Sequence, residues 1–123
     1  MKKNLHASAK GKQAEHAALD FLRGCGLKFL GRNYRAARGE IDLILQDGST
    51  VVFVEVRSRA DNAWMDAVES IDRRKIENII HASRQYLQQH GIADDAEYRF
   101  DVVTLTGKSR APKIEWIKDA FEA

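Results

Sequence analysis

The sequence holds one cysteine, one proline and no long apolar run, and each scarcity removes a class of explanation. Cys25 alone cannot form an intrachain disulfide or a cysteine-based zinc site. A single thiol agrees with a reducing compartment. No apolar stretch approaches the ~20 residues that a membrane-spanning helix needs. The basic start, Lys2 and Lys3, is not followed by the apolar core of a secretory signal. A cytoplasmic protein that does not enter a membrane is therefore expected. Excess charge of one sign is lacking too. The 20 Lys and Arg against 18 Asp and Glu leave a formal net charge of +2, too small to specify a polyanionic partner by itself. The 123 residues contain no internal repeat, low-complexity tract or interdomain linker, which predicts one domain able to bury roughly two-thirds of its unfolded surface.

The most informative residues are two acidic clusters on neighbouring strand-like runs. The first is Gly39-Glu40-Ile41-Asp42-Leu43-Ile44-Leu45 and the second is Val51-Val52-Phe53-Val54-Glu55-Val56-Arg57. Asp47-Gly48 lies between them and signals a hairpin. Such a hairpin brings Asp42 and Glu55 to the same end of a small sheet. A carboxylate at the end of an apolar strand is costly unless a cation or a donor compensates it. The pair therefore reads as a divalent-metal site. The competing readings are a hydrogen-bonded strand-end acid at Asp42 and a same-face ion pair between Glu55 and Arg57.

Around these strands the periodicity predicts residues 1–8 as a flexible basic tail and residues 9–123 as a single domain. A helix from about Ala9 to Cys25 presents Ala14, Ala17, Ala18, Phe21, Leu22 and Cys25 as its stripe. Glu15 shares a line with Leu19 and Leu22 at the edge of that stripe, so its carboxylate can face the sheet. Leu27 to Tyr34 reads as a first strand. The run from Val51 to Val56 is apolar at both parities, the mark of a central strand covered on both sides. Residues 58 to 70 read as an ordered loop or short helix carrying Trp64. A second helix from about Asp72 to His90 buries Ile76, Ile79, Ile80, Ser83 and Leu87, with Gly91 at its C-terminal cap. Tyr98 to Thr106 and Ile114 to Ile117 complete the order αβββαββ: an α/β fold with a central mixed sheet flanked by helices. Glu40 is expected to face away from Asp42, and Asp101 to be a structural acid paired with an arginine. His6, His16, His81 and His90 share no ligand spacing and are expected at the surface.

The distribution of basic residues says more than the net charge. Lys2, Lys3, Lys10 and Lys12 meet no acid in the first dozen residues. Arg32, Arg35 and Arg38 precede the first acidic cluster, Arg57 and Arg59 follow the second, and Arg73, Arg74 and Lys75 open the second helix. Basic residues flanking acidic ones suit a polyanion held beside a metal, or are ordinary solvated charge.

Taken together, Glu15, Asp42, Glu55, Arg57 and Lys75 resemble the PD-(D/E)xK nuclease superfamily with its restriction-endonuclease-like fold. Asp42 stands for the first acid, Glu55-Val56-Arg57 for the acid-x-lysine and Glu15 for the helical glutamate. The order of elements is also similar to that of archaeal Holliday-junction resolvases. Four blocks in order resemble the YraN-like family of small bacterial proteins: Gly39 to Leu43, Phe53 to Arg57, Arg99 to Val103 and Glu115 to Phe121. The resemblance implies a metal-dependent endonuclease that hydrolyses phosphodiester bonds of nucleic acid, DNA in the first instance, including branched or junction DNA. Mg2+ or Mn2+ would be held by Asp42, Glu55 and the carbonyl of Val56, with Glu15 binding directly or through water. Lys10, Lys12, Arg35, Arg38, Arg59 and Arg74 would meet the nucleic acid. A two-fold homodimer would suit cleavage of both strands. Arg57 departs from the superfamily lysine, because arginine keeps its proton. It would hold a phosphate oxygen or stabilise transition-state charge, and Lys75 would supply the missing amine. The alternative is a catalytically inactive nucleic-acid-binding or partner-binding module on the same fold.

Overall fold

The computed structural model describes residues 2–59, 71–93, 95–107 and 111–123, with side chains from Gly11 onward. Trp64 and most of the loop expected at 58–70 lie outside the described residues, as does the side chain of Lys10. The elements run α1 (Lys2–Gly24), β1 (Lys28–Arg35), β2 (Glu40–Asp47), β3 (Thr50–Arg59), α2 (Arg73–Gln89), β4 (Tyr98–Thr106) and β5 (Lys113–Phe121). This is the αβββαββ order read from the sequence.

All five strands form one sheet, arranged in chain order from β1 to β5. β1, β2 and β3 form an antiparallel meander, β3 and β4 are parallel, and β4 and β5 are antiparallel. Only the parallel pair needs a long crossover, and α2 lies within it. Each helix buries one face of the sheet. Ala18, Leu19 and Leu22 of α1 pack with Leu43, Leu45, Val52, Val54, Val103 and Leu105. Ile79, Ala82 and Tyr86 of α2 pack with Ile41, Ile44, Val51, Phe53 and Phe100. β3 is therefore buried on both sides from Val51 to Glu55, as its run of apolar residues at both parities predicts. Each fully buried Val, Leu, Ile or Phe contributes roughly 1.5–3 kcal/mol, so β2 and β3 form the most firmly fixed part of the fold.

Several boundaries differ from the pattern. The backbone helix α1 starts at Lys2, within the stretch read as a tail. Its buried line runs through Ala18, Leu19 and Leu22, and Cys25 is exposed. The stripe is thus rotated toward Glu15. The hairpin turn is Gly48-Ser49, since Asp47 pairs with Thr50. Gly48 has φ 63°, and one glycine with positive φ at the first turn position matches a type II′ hairpin. α2 begins after Asp72, whose side chain accepts a hydrogen bond from Lys75 N. Ala82 and Tyr86 join its inner stripe. β5 continues to Phe121, well past Ile117, because its register slips opposite Phe100 and Val102.

Asp101 holds that slip in place. Its side chain is fully buried. It accepts hydrogen bonds from Arg99 Nε at 3.0 and 3.2 Å, from Trp116 Nε1 at 2.9 Å and from the backbone N–H of Asp119 at 2.9 Å. Asp119 has φ 54°, an uncommon conformation for a residue with a side chain. The arginine partner expected for Asp101 is thus Arg99, which also reaches Asp47 at 3.0 Å. A buried carboxylate is tolerable only with such a complete set of donors. Removing it strands the Trp116 indole N–H and the Asp119 N–H and leaves Arg99 with Asp47 alone. Asp101→Ala is therefore expected to lower stability by about 3–5 kcal/mol. Urea unfolding followed by tryptophan emission measures this, and a loss below about 1 kcal/mol would contradict the role given to Asp101.

Candidate functional site

The site forms where β2 and β3 stop pairing. Leu43 opposite Val54 is the last regular pair toward the open end of the hairpin. One step further, Asp42 and Glu55 stand opposite each other. Asp42 Oδ2 accepts a hydrogen bond from the backbone N–H of Val56 at 2.8 Å, so a side chain takes the place of a ladder carbonyl.

A local break in alternation aims Asp42 into this gap. Leu43 and Leu45 face α1, whereas Ile44 and Ile41 face α2. Ile41 and Leu43 are two residues apart and should share a face. They do not, so the alternation slips by one residue at Asp42. On β1, Arg32 pairs with Leu43 and Tyr34 with Ile41, and Asn33 between them, at the level of Asp42, has φ 52°. Asparagine tolerates that conformation better than most residues. Gly39, with φ 89°, lets the β1–β2 loop press against α2. A Cβ there would lie 2.5 Å from the backbone oxygen of Asn78.

The two carboxyl groups act on each other's ionisation. Glu55 is only 5% exposed, with Arg57 Nη1 at 3.5 Å and Lys75 Nζ at 3.7 Å from its Oε2. Burial, reinforced by the charge of Asp42, pushes Glu55 up to about 7, against the opposing pull of Lys75 and Arg57. Burial also raises Asp42, although its bond from Val56 N–H and the charge of Lys75 work the other way. Glu15 is raised by burial first and then by the charges of Asp42 and Glu40, while Arg32 and a hydrogen bond with Asn33 counteract this. One oxygen of Glu15, Oε1, is buried with no hydrogen-bond partner among the described residues. All three acids thus hold their negative charge at a cost that a proton or a cation would relieve.

These oxygens fit a hard divalent ion in chemical type. Among the described residues, no three His, Cys, Asp or Glu side chains lie close enough to bind one ion together. Asp42 and Glu55 form the close pair. Glu15 stands off from it, in charge contact with Asp42, which leaves linkage through water as its route. Val56, between Glu55 and Arg57, has its N–H engaged by Asp42. Glu40 does not stand clear of Asp42, since its charge acts on both Asp42 and Glu15. The slip at Asp42 defeats the simple two-residue alternation on which any facing argument for Glu40 rests.

The basic residues frame this end of the sheet. Arg35 is exposed and lies 3.7 Å from Glu40. Arg38 follows it in the β1–β2 connection, Arg59 ends β3, and Arg74 with Lys75 opens α2. Lys12 is exposed and precedes Glu15 by one turn on α1. His16 instead pairs with Asp20 on the exposed side of α1, 3.5 Å away, and His90 stacks on Tyr86. Asn33 and Gly39 were not evident as site residues from the sequence. Their only signal was residue type, an asparagine inside a strand and a glycine before an acid. Among the described residues, no helix is long and apolar enough to cross a membrane.

A family model described as "Uncharacterised protein family UPF0102" matches residues 14–105, a span that contains Glu15, Asp42, Glu55, Lys75 and Asp101. The chain belongs to UPF0102. This is the YraN-like family that the sequence blocks resemble. Relatives sharing the family name match over nearly their whole lengths. A UPF0102 protein of Stutzerimonas stutzeri is 44% identical over 117 residues, covering 95% of this chain and 98% of the relative. One from Pseudomonas aeruginosa is 49% identical, covering 93% of each. One from Legionella pneumophila is 45% identical, covering 93% of this chain and 95% of the relative. The UPF0102 domain thus accounts for the elements that build the site.

The raised carboxyl of Glu55 links stability to pH. A carboxyl whose folded pKa exceeds its unfolded value binds more protons in the folded state. Its stabilising contribution is complete below the unfolded value of 4.5 and is lost as pH rises through about 7. In chelator-treated protein, Glu55→Gln should remove this slope, so the melting temperature of wild type relative to the variant falls between about pH 4.5 and 7. A wild-type-minus-variant difference that stays flat or rises across that window would sink the assignment.

Proposed function

We propose that this UPF0102 chain is a metal-dependent endonuclease acting on nucleic acid, with DNA as the first substrate to test. The observation that carries the proposal is the meeting of Asp42 and Glu55 at the parting of β2 and β3, with Lys75 and Arg57 both against Glu55. On this reading the mixed sheet flanked by α1 and α2 is restriction-endonuclease-like, and the site is its PD-(D/E)xK motif with arginine in the lysine position.

Each residue has a chemical task. Asp42 and Glu55 would hold Mg2+ or Mn2+, with the carbonyl of Val56 and, through water, Glu15. The ion would supply a water acidic enough to be a nucleophile near neutral pH, together with screening of charge on the phosphate. Arg57 presents a fixed, permanently charged fork to a phosphate oxygen. Lys75 is a compact charge 3.7 Å from Glu55, and its amine can carry a proton to or from water. Lys12, Arg35, Arg38, Arg59 and Arg74, with Lys10, would attract the backbone phosphates and position them. Cutting both strands of a symmetric substrate calls for two such sites related by a two-fold axis, hence a homodimer.

A second reading follows from Arg57. With no lysine at that position, the domain is a binding module that kept the acids and lost turnover. Purified protein incubated with Mg2+ or Mn2+ and linear, flapped and four-way DNA decides between them. Cleavage is expected from wild type and from neither Asp42→Ala nor Glu55→Ala. Lys75→Ala and Arg57→Ala should each lose roughly 100-fold in rate. Cleavage that persists in both acid variants belongs to a contaminant, and DNA binding with no cleavage selects the binding module.

A further inference from the structure

Beside the carboxylate pair lies a cleft of about 320 Å³ that these roles leave unused. Arg35, Gly39 and Glu40 line one side, and Lys75, Asn78 and Ile79 of α2 line the other. Lys75, whose Nζ lies 3.7 Å from Glu55, links the cleft to the acids. Its volume has room for one base with its sugar.

The walls point to a base rather than a second phosphate. Glu40 is only 36% exposed and turns an oxygen toward Arg35 at 3.7 Å. Its carboxylate would repel a phosphate, and the two cations of the lining, Arg35 and Lys75, are already engaged by Glu40 and Glu55 at 3.7 Å each. The exocyclic amines of adenine, cytosine and guanine are donors that a carboxylate accepts. Asn78 adds an amide, which donates and accepts at once. Ile79 gives an apolar wall, and Gly39 keeps the opposite wall thin, since any Cβ there would strike Asn78. In a duplex one hydrogen of each amine still faces a groove, but a concave cleft cannot receive a base that stays in the stack. Only an unpaired base can offer its Watson–Crick edge to side chains.

We infer that the cleft takes one unpaired base adjoining the phosphate at the acidic site. The substrate class is then nucleic acid with a single-stranded nucleotide at the cut, as in a flap, gap, loop or branch arm, and not uninterrupted duplex. The inference rests on the nuclease reading for the identity of the neighbouring phosphate.

The test measures binding apart from chemistry. Full-length protein with Ca2+ in place of Mg2+ is titrated against an uninterrupted DNA duplex and a flapped duplex of equal length. Fluorescence anisotropy reports affinity, and 2-aminopurine at successive flap positions reports which base leaves the stack. The flapped probe should bind about ten-fold more tightly, with one position changing in emission. Glu40→Gln and Asn78→Ala should each abolish that preference, about ten-fold, while leaving duplex binding and the melting curve unchanged. Equal affinity for both probes, equal losses on both, or binding to neither overturns the cleft assignment. Parallel incubations with Mg2+ separate the two ideas: flap preference without cleavage sinks the nuclease reading and keeps the cleft, and cleavage without preference does the reverse.

Discussion

The site depends on one hydrogen bond, from the Val56 N–H to Asp42 Oδ2. It occupies the point where the β2–β3 ladder would otherwise continue. A backbone donor at a parting of strands must be satisfied by something other than the next strand. Here a carboxylate does so, and it is thereby held against Glu55. The bond lowers the cost of keeping Asp42 charged, yet burial still outweighs it. Fold and electrostatics are thus coupled at one position. The same contact ends the pairing and concentrates negative charge.

The cores on either side of the sheet make this arrangement stiff. Leu43 and Val54, the last regular pair, are held by α1, and Ile41 just beyond is held by α2. The strand is gripped on opposite faces across a gap of one residue, and Asp42 is the residue in the gap. Close-packed interiors leave little room for such a strand to relax. The start of α2, which carries Lys75, is capped by Asp72 and anchored by Ile71 and Ile76 beside Val102.

Much of this was legible in the residues, for identifiable reasons. The all-apolar stretch of β3 reports burial on two sides, and the tyrosine-to-threonine run of β4 has both of its ends where the pattern puts them. The hairpin was legible as a hairpin, but its turn was not placed correctly. With Asp47-Gly48 as the turn, Asp42 would stand opposite Phe53. With Gly48-Ser49, Asp47 pairs with Thr50, and five steps along each strand bring Asp42 to Glu55. A shift of one residue in a turn moves the register by two, beyond what a dipeptide preference resolves. The slip at Asp42 was illegible because no single residue type encodes it. Asn33, at the same level on the neighbouring strand, has a positive φ. The extension of β5 was illegible because Asp101, a residue distant in sequence, supplies the bond that Asp119 needs.

The identity of residue 57 matters less once Glu55 is seen between two cations. Arg57 and Lys75 approach the same oxygen, Oε2, from β3 and from α2. Arginine is a poor proton carrier and a good anion clamp. Lysine is a compact point charge on a flexible stem, here near the start of a helix, where the dipole already favours anions. On the proposed nuclease reading, the two cations would share what a single lysine would otherwise supply. Arg57 stays on β3 against Glu55, and Lys75, 43% exposed on α2, reaches both water and the buried acid.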